Sequence, residues 1–227
     1  MTTTLITGAN KSLGYETARQ LIAAGHTVYI GSRDPERGRK AAEELGGEYV
    51  RLDVTDDASV AAAAGQIGSL DVLINNAAIA GGLVAVGDVT ADGLRRLYET
   101  NVFGVVRVTH AVLPLLEKSA NPVVVNVSSG LGSIARATDP HAMESQFPAL
   151  AYGSAKAAVN MITVQYAKAY PAMRINCVDP GYTATDLNGH RGTQTVDQGA
   201  AIIVRMAQLG LDGPTGTYAD VHGTVPW

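Results

Sequence analysis

Short runs of β-branched and aliphatic residues alternate with segments of helical periodicity along the whole chain. The runs Thr3 to Thr7, Thr27 to Ser32, Glu48 to Leu52, Asp71 to Asn75, Val123 to Val127 and Arg174 to Asp179 have the length and residue types of strands. Between them, apolar positions recur at helical spacing near Leu13 to Ala24, Pro35 to Leu45, Asp57 to Ile67, Asn101 to Lys118, Tyr152 to Ala169 and Val196 to Leu209. This alternation predicts a parallel sheet with helices on both faces. A short strand near Thr217 brings the sheet to seven strands, and the fold class is α/β, doubly wound. With 227 residues, 46% of them hydrophobic, and with neither linker nor repeat, residues 1–227 are expected to form a single domain around one substantial core.

Charge narrows the function classes. The 17 basic and 21 acidic residues are spread along the chain for a formal charge of −4, so no basic stripe invites a phosphate backbone and no cationic amphipathic helix invites a lipid surface. Neither nucleic acid nor membrane is an expected partner. The single cysteine, Cys177, lies in the apolar run Ile175 to Val178 and fits a reducing compartment. No charged segment follows Met1 and no apolar run approaches the length of a bilayer, so a cytoplasmic location is expected.

Doubly wound sheets bind ligands beyond the carboxyl ends of their strands. The first such turn is Thr7-Gly8-Ala9-Asn10-Lys11-Ser12-Leu13-Gly14. Gly8 and Gly14 permit close approach of backbone and helix, and the amides opening the helix can face a pyrophosphate; a tight strand-to-helix connection has the same appearance. At the tip of the second strand, a carboxylate suits a ribose diol and an arginine suits a 2′-phosphate. Asp34-Pro35-Glu36 reads as a helix cap with proline in the first turn, which leaves Arg33 at the tip. Lys11 adds a second positive charge, and together they favour NADPH over NADH. Asp53 either accepts from an adenine amino group or supports the cap at Thr55. Asn75 and Asn76 are expected to stitch neighbouring strands.

Tyr152 and Lys156 stand four residues apart in an alanine-rich helical run and share one face. An ammonium about 5 Å from a phenol favours the phenolate by about 3 kcal/mol at an effective dielectric of 20, so Lys156 is expected to lower the Tyr152 pKa. A phenol so tuned exchanges a proton with a substrate oxygen without a metal or a histidine. A solvated Tyr/Lys pair on a helix surface is the plain alternative.

The Thr-Gly-x-x-x-x-x-Gly turn, Asp53, Asn75-Asn76-Ala77, Asn101, Ser129, Tyr152, Lys156 and Pro180-Gly181 follow the order and approximate spacing of the short-chain dehydrogenase/reductase family over nearly the whole chain. The chain resembles the NADPH-dependent, carbonyl-reductase-like members. That resemblance implies a Rossmann-type domain holding NADP(H) through Gly8, Asn10, Lys11, Ser12, Leu13, Arg33, Asp53, Val54, Asn75, Ala77, Tyr152, Lys156, Pro180, Gly181 and Thr183. It implies a catalytic set in which Tyr152 gives the proton, Ser129 hydrogen-bonds the substrate oxygen, Lys156 also binds the nicotinamide ribose, and Asn101 holds a water beside Lys156. Thr183 would touch the carboxamide or the diphosphate, while Ser128 is structural. Ser12 and Ala78 stand where the family usually or often has glycine. The spacing from Ser129 to Tyr152 exceeds the family's common one, so residues 131–150 form an insertion bordering the pocket, and 182–196 form a short substrate lid.

The expected activity is reversible reduction of an uncharged or hydrophobic ketone or aldehyde, a small-molecule substrate, to its alcohol. Small and apolar residues around Ile79 to Val86, with Leu131, Phe147, Leu150 and Tyr182, are the expected pocket lining. The alternative is a non-catalytic NADP(H)-sensing protein on the same fold; a serine hydrolase is disfavoured because no Gly-x-Ser-x-Gly elbow occurs. The helices Asn101 to Lys118 and Tyr152 to Ala169 are apolar on more than one face, which predicts a homodimer or homotetramer.

Overall fold

Aliphatic residues at successive positions of each central strand point to opposite faces, and both faces are covered. The computed structural model describes residues 1–82 and 84–227. In chain order the elements are β1 (Thr3–Thr7), α1 (Ser12–Ala23), β2 (Thr27–Ser32), α2 (Pro35–Leu45), β3 (Glu48–Arg51), α3 (Asp57–Gln66), β4 (Val72–Asn75), α4 (Ala91–Tyr98) and α5 (Gly104–Leu116). They continue with β5 (Val123–Val127), α6 (Ile134–Thr138), α7 (Leu150–Ala169), β6 (Arg174–Val178), α8 (Val196–Ala207), β7 (Tyr218–Asp220) and β8 (Gly223–Thr224). One sheet carries the strands in the order β3-β2-β1-β4-β5-β6-β7-β8. Ile6, Ile30, Ile74 and Val125 pack under α1, α2 and α8, whereas Leu5, Leu73, Val124 and Ile175 pack under α3, α5 and α7. The order reverses at β1 and β4, and the crevice above that switch point is where such sheets bind ligands.

The sheet has eight strands, one more than expected. β7 pairs antiparallel with β8 through Ala219 and Thr224. Asp220 makes that turn by accepting from the amides of His222 at 2.8 Å and Gly223 at 3.0 Å. A two-residue strand has no period to read in sequence. The helix expected from Asn101 begins earlier: α4, capped by Thr90 on the Gly93 amide at 3.1 Å, runs through one wide π-turn (Glu99–Phe103) into α5. Asn101 therefore lies inside a continuous helical path, at its widened turn.

The second apolar face of these helices is largely covered by the chain itself. Val102, Val105, Val108, Val112, Ala155 and Val159 are buried, and Phe103, Val106 and Met161 stay exposed. Among the described residues, no helix is long and apolar enough to cross a membrane.

The chain's last residues close over the 131–150 segment. Ser133 Oγ donates to the Pro226 carbonyl at 2.6 Å and the Ala135 amide to the Trp227 carbonyl at 3.0 Å. The Trp227 ring stacks on Tyr218 with centroids 5.6 Å apart.

Candidate active site

The turn after β1 is pressed against the end of β4. Gly8 has φ +65°, and a Cβ on Gly14 would stand 2.5 Å from both Asn76 Nδ2 and the Gly8 carbonyl. Asn76 Nδ2 donates to the Thr7 carbonyl at 2.9 Å, and Thr7 Oγ1 accepts from the amides of Asn76 and Ala77, both at 2.9 Å. Ser12 takes φ +49° in the same turn, a left-handed conformation that costs a side chain and suits glycine. Asn75 turns its amide into the sheet, as its place among the strand-end asparagines predicts, donating to Asn126 Oδ1 at 2.8 Å and Thr109 Oγ1 at 3.1 Å. It is a stitch between β4, β5 and α5.

At the tip of β2, Asp34 caps α2 through the amides of Glu36 and Arg37, and Arg33 is left exposed with no ion-pair partner among the described residues. Lys11 does not share that position. Its Nζ lies 2.8 Å from Asp186 Oδ2, across the cleft on the 182–196 segment, and Asp186 Oδ1 also meets His190 Nε2 at 2.9 Å. Asp53 supports the following turn: its Oδ1 accepts from the Thr55 amide at 3.0 Å and hydroxyl at 2.8 Å. Burial pushes that carboxyl up, but these bonds with the charges of Arg33 and Arg107 hold it below the usual range. Val54, behind it, is buried and gives its carbonyl to Arg107 at 2.6 Å.

Tyr152 and Lys156 occupy the first turns of α7 on one face. Lys156 is 3% exposed; its Nζ donates to the Val127 carbonyl at 2.7 Å and lies 5.5 Å from the Tyr152 ring centroid. Burial pulls the Lys156 pKa down to about 8, against the opposing pull of the Asp179 charge. The expected lowering of the phenol does not occur: burial, then the Asp179 charge, push the Tyr152 pKa up. Two residues beyond Val127, Ser129 Oγ accepts from the Leu131 amide at 3.4 Å, and the Ser129 carbonyl accepts from the Tyr218 hydroxyl at 2.6 Å. Ser128, by contrast, donates to Asn160 Oδ1 at 2.5 Å inside the core.

Asn101 is 1% exposed, and its side chain is fully engaged with the loop after β4: Nδ2 donates to the Ile79 carbonyl at 2.8 Å and Oδ1 accepts from the Ile79 amide at 2.9 Å. Those two bonds clamp the loop after β4 onto the widened turn. Thr183 is also turned inward. Its hydroxyl donates to the Pro180 carbonyl at 3.0 Å and accepts from Gln194 at 2.8 Å, closing the root of the 182–196 segment. Thr185 and Asp186 bring that segment to the first turn, a role the sequence reading did not assign; Thr185 caps the turn that carries Asp186.

A cavity of about 530 Å³ lies beside this group, walled mainly by Val86, Leu131, Ile134, Phe147, Pro148 and Leu150, with Glu144 as its charged member. Ile79 and Tyr182, expected in the lining, are not part of it, and Leu83 lies outside the described residues. Ser129 and Tyr152 border it only through their neighbours Leu131 and Gly153.

A sequence profile described as short chain dehydrogenase matches residues 2–195. The chain belongs to the short chain dehydrogenase family. Among its relatives, short-chain dehydrogenase/reductase 1 of Saponaria officinalis is 35% identical over 98% of this chain and 95% of its own. The (−)-isopiperitenone reductase of Mentha piperita is 32% identical over 94% of each. Of solved structures, an NADPH-bound carbonyl reductase from chicken fatty liver superposes with a TM-score of 0.87 at 27% identity, covering 99% of this chain and 98% of that one. The protein is therefore an oxidoreductase of a family that uses nicotinamide cofactors. Its alignment with the Saponaria relative runs over 287 positions against 227 residues here, so that relative contains segments this chain lacks.

Proposed function

We propose that this short chain dehydrogenase reversibly reduces an uncharged or hydrophobic ketone or aldehyde to its alcohol with NADPH. The Tyr152–Lys156 pair carries the reading, because an ammonium 5.5 Å from a phenol ring and fastened to the Val127 carbonyl stands at the carboxyl end of β5, beside Ser129. A relative named as an isopiperitenone reductase and a solved NADPH-bound carbonyl reductase support a reductase of small carbonyl-containing molecules and the cofactor.

The first turn fits a dinucleotide diphosphate, since Gly8 and Gly14 bring bare backbone to the cleft, and Arg33, with no ion-pair partner among the described residues, suits a 2′-phosphate. When bound, the nicotinamide supplies the hydride. Tyr152, held neutral through the physiological range, is the proton donor to the substrate oxygen. Ser129 Oγ accepts from an amide, which leaves its own O–H to donate to the carbonyl. Lys156 binds the nicotinamide ribose, and Asn101 steadies the Ile79 loop beneath the substrate. The apolar cavity takes the body of the substrate, with 131–150 as its wall and 182–196 as the lid. The buried Cys177 supports a reducing compartment such as the cytoplasm.

A panel of ketones, aldehydes and secondary alcohols, assayed with both nicotinamide cofactors, tests substrate class and cofactor together. Tyr152→Phe is expected to bind NADPH as the parent does while kcat falls by about 10²-fold or more. Turnover surviving in that variant would make the site assignment wrong. Loss of all turnover in the panel with NADPH binding kept would favour the sensing protein.

A further inference from the structure

Asp179 is a buried carboxylate that neither the family pattern nor the proposed mechanism uses. It follows β6 directly, and its Oδ1 accepts from the Gly181 amide at 2.9 Å. Its Oδ2 reaches across the end of the sheet to the turn after β5, where a Cβ on Gly130 would stand 3.0 Å from it and would overlap Glu144 Oε1. Gly130 is thus the residue that lets two carboxylates reach the backbone beside Ser129. Arg136, on α6 within the 131–150 segment, holds Asp179 at 3.1 Å, Glu144 at 3.3 Å and Asp220 at 2.7 Å. Three carboxyl groups, from the turn after β6, from β7 and from residues 131–150, share one guanidinium, and although burial pushes the Asp179 carboxyl up, the Gly181 and Gly130 amides and Arg136 pull it back toward the charged form.

The geometry points to Asp179 as a positioning residue: with Arg136 it fastens the Ser129–Gly130 turn to the Pro180–Gly181 turn, and its charge, added to the larger effect of burial, tunes the proton affinity of the Tyr152/Lys156 pair. This rests on Tyr152 being the proton donor. Both turns flank the reacting groups, so the ionic tie fixes their separation while the Asp179 charge acts on the phenol and the ammonium together. The direction is consistent at both groups, since the Asp179 charge disfavours the phenolate and favours the protonated lysine. The other ionisable groups packed there are Cys177 on β6 and Tyr218 on β7, both pushed up by burial and neutral at physiological pH.

The sign of the charge distinguishes this role from scaffolding alone. The reading is the alkaline limb of kcat/KM for carbonyl reduction, where the pair loses its proton. Asp179→Asn keeps an acceptor for the Gly181 amide and removes the charge, so the limb should move to lower pH by about half a unit or more. Arg136→Met leaves the carboxylates uncompensated and should move it to higher pH by a similar amount. Glu144→Gln repeats the Asp179→Asn shift where that variant does not fold. A limb unmoved in the carboxamide variant that folds, or moved the same way in it and in Arg136→Met, overturns the inference. Tyr152→Phe, run alongside, separates the two layers: a dead Tyr152→Phe with an unmoved limb defeats the Asp179 role alone, whereas an active Tyr152→Phe defeats the mechanism beneath it.

Discussion

A serine at φ +49° in the turn between β1 and α1 carries a steric cost that glycine would not. Left-handed backbone costs a side chain about 1 kcal/mol. Ser12→Gly is therefore expected to raise Tm by about 2–4 °C, read by thermal unfolding; a lower Tm would mean that the lost hydroxyl and the looser unfolded chain outweigh the relief. At the reaction centre, the pKa of Lys156 is pulled to about 8, so the ammonium is present below that value and lost as pH rises through it. Carbonyl reduction should hold to about pH 8 and fall above, with kcat/KM against pH as the measurement; a profile flat to pH 10 would remove Lys156 from the proton economy. The sequence places these two groups on one face of a helix, which the 5.5 Å approach matches. It misleads on the phenol's pKa because spacing reports the lysine on the same helix, not the burial of that lysine, the partial burial of the phenol, or Asp179 arriving from the turn after β6. Asn75 was legible as a stitch between strands, whereas the direction of the Thr183 side chain was not, because it depends on Gln194, a partner that a strand-end position does not reveal.

The segment 182–196 is tied down at two points, at its root by Gln194 on Thr183 and near its tip by Asp186 on Lys11. The second tie is an exposed pair, worth about 0–1 kcal/mol and screened by salt. Asp186→Asn should speed NADPH release by about two- to five-fold at low salt, followed by stopped-flow fluorescence, and should flatten the salt dependence of that rate. Release unchanged at low salt would leave Lys11–Asp186 without a part in closing the cleft. At this scale the strands β1 to β6 and the helices α1, α2, α3, α7 and α8 were readable from residue type and periodicity, most of them burying an apolar face or stripe. Elements that bury little were not. α4 reads as polar, with only Leu97 buried; α6 has five residues; and β8 depends on an aspartate turn instead of an apolar run.

The exposed apolar side chains Phe103 and Val106 on the widened turn and α5, with Met161 on α7, mark the face on which a second copy is proposed to dock. Sedimentation at micromolar concentration should give a dimer or tetramer, and Phe103→Asp with Met161→Asp should dissociate it; a monomer from the parent chain would remove the assembly. Across the molecule, seven parallel strands with helices on both faces follow from alternation, whereas the antiparallel β8 and the cavity wall do not, since residues 131–150 are shaped by contacts with the chain's last residues. Those contacts have a practical side. Trp227 and Pro226 are hydrogen-bonded to the rim of the cavity, while Met1 is 99% exposed at the opposite end of the strands. An affinity handle or surface tether fused after Trp227 would therefore pull on the rim of the substrate pocket, and one fused ahead of Met1 would leave it alone.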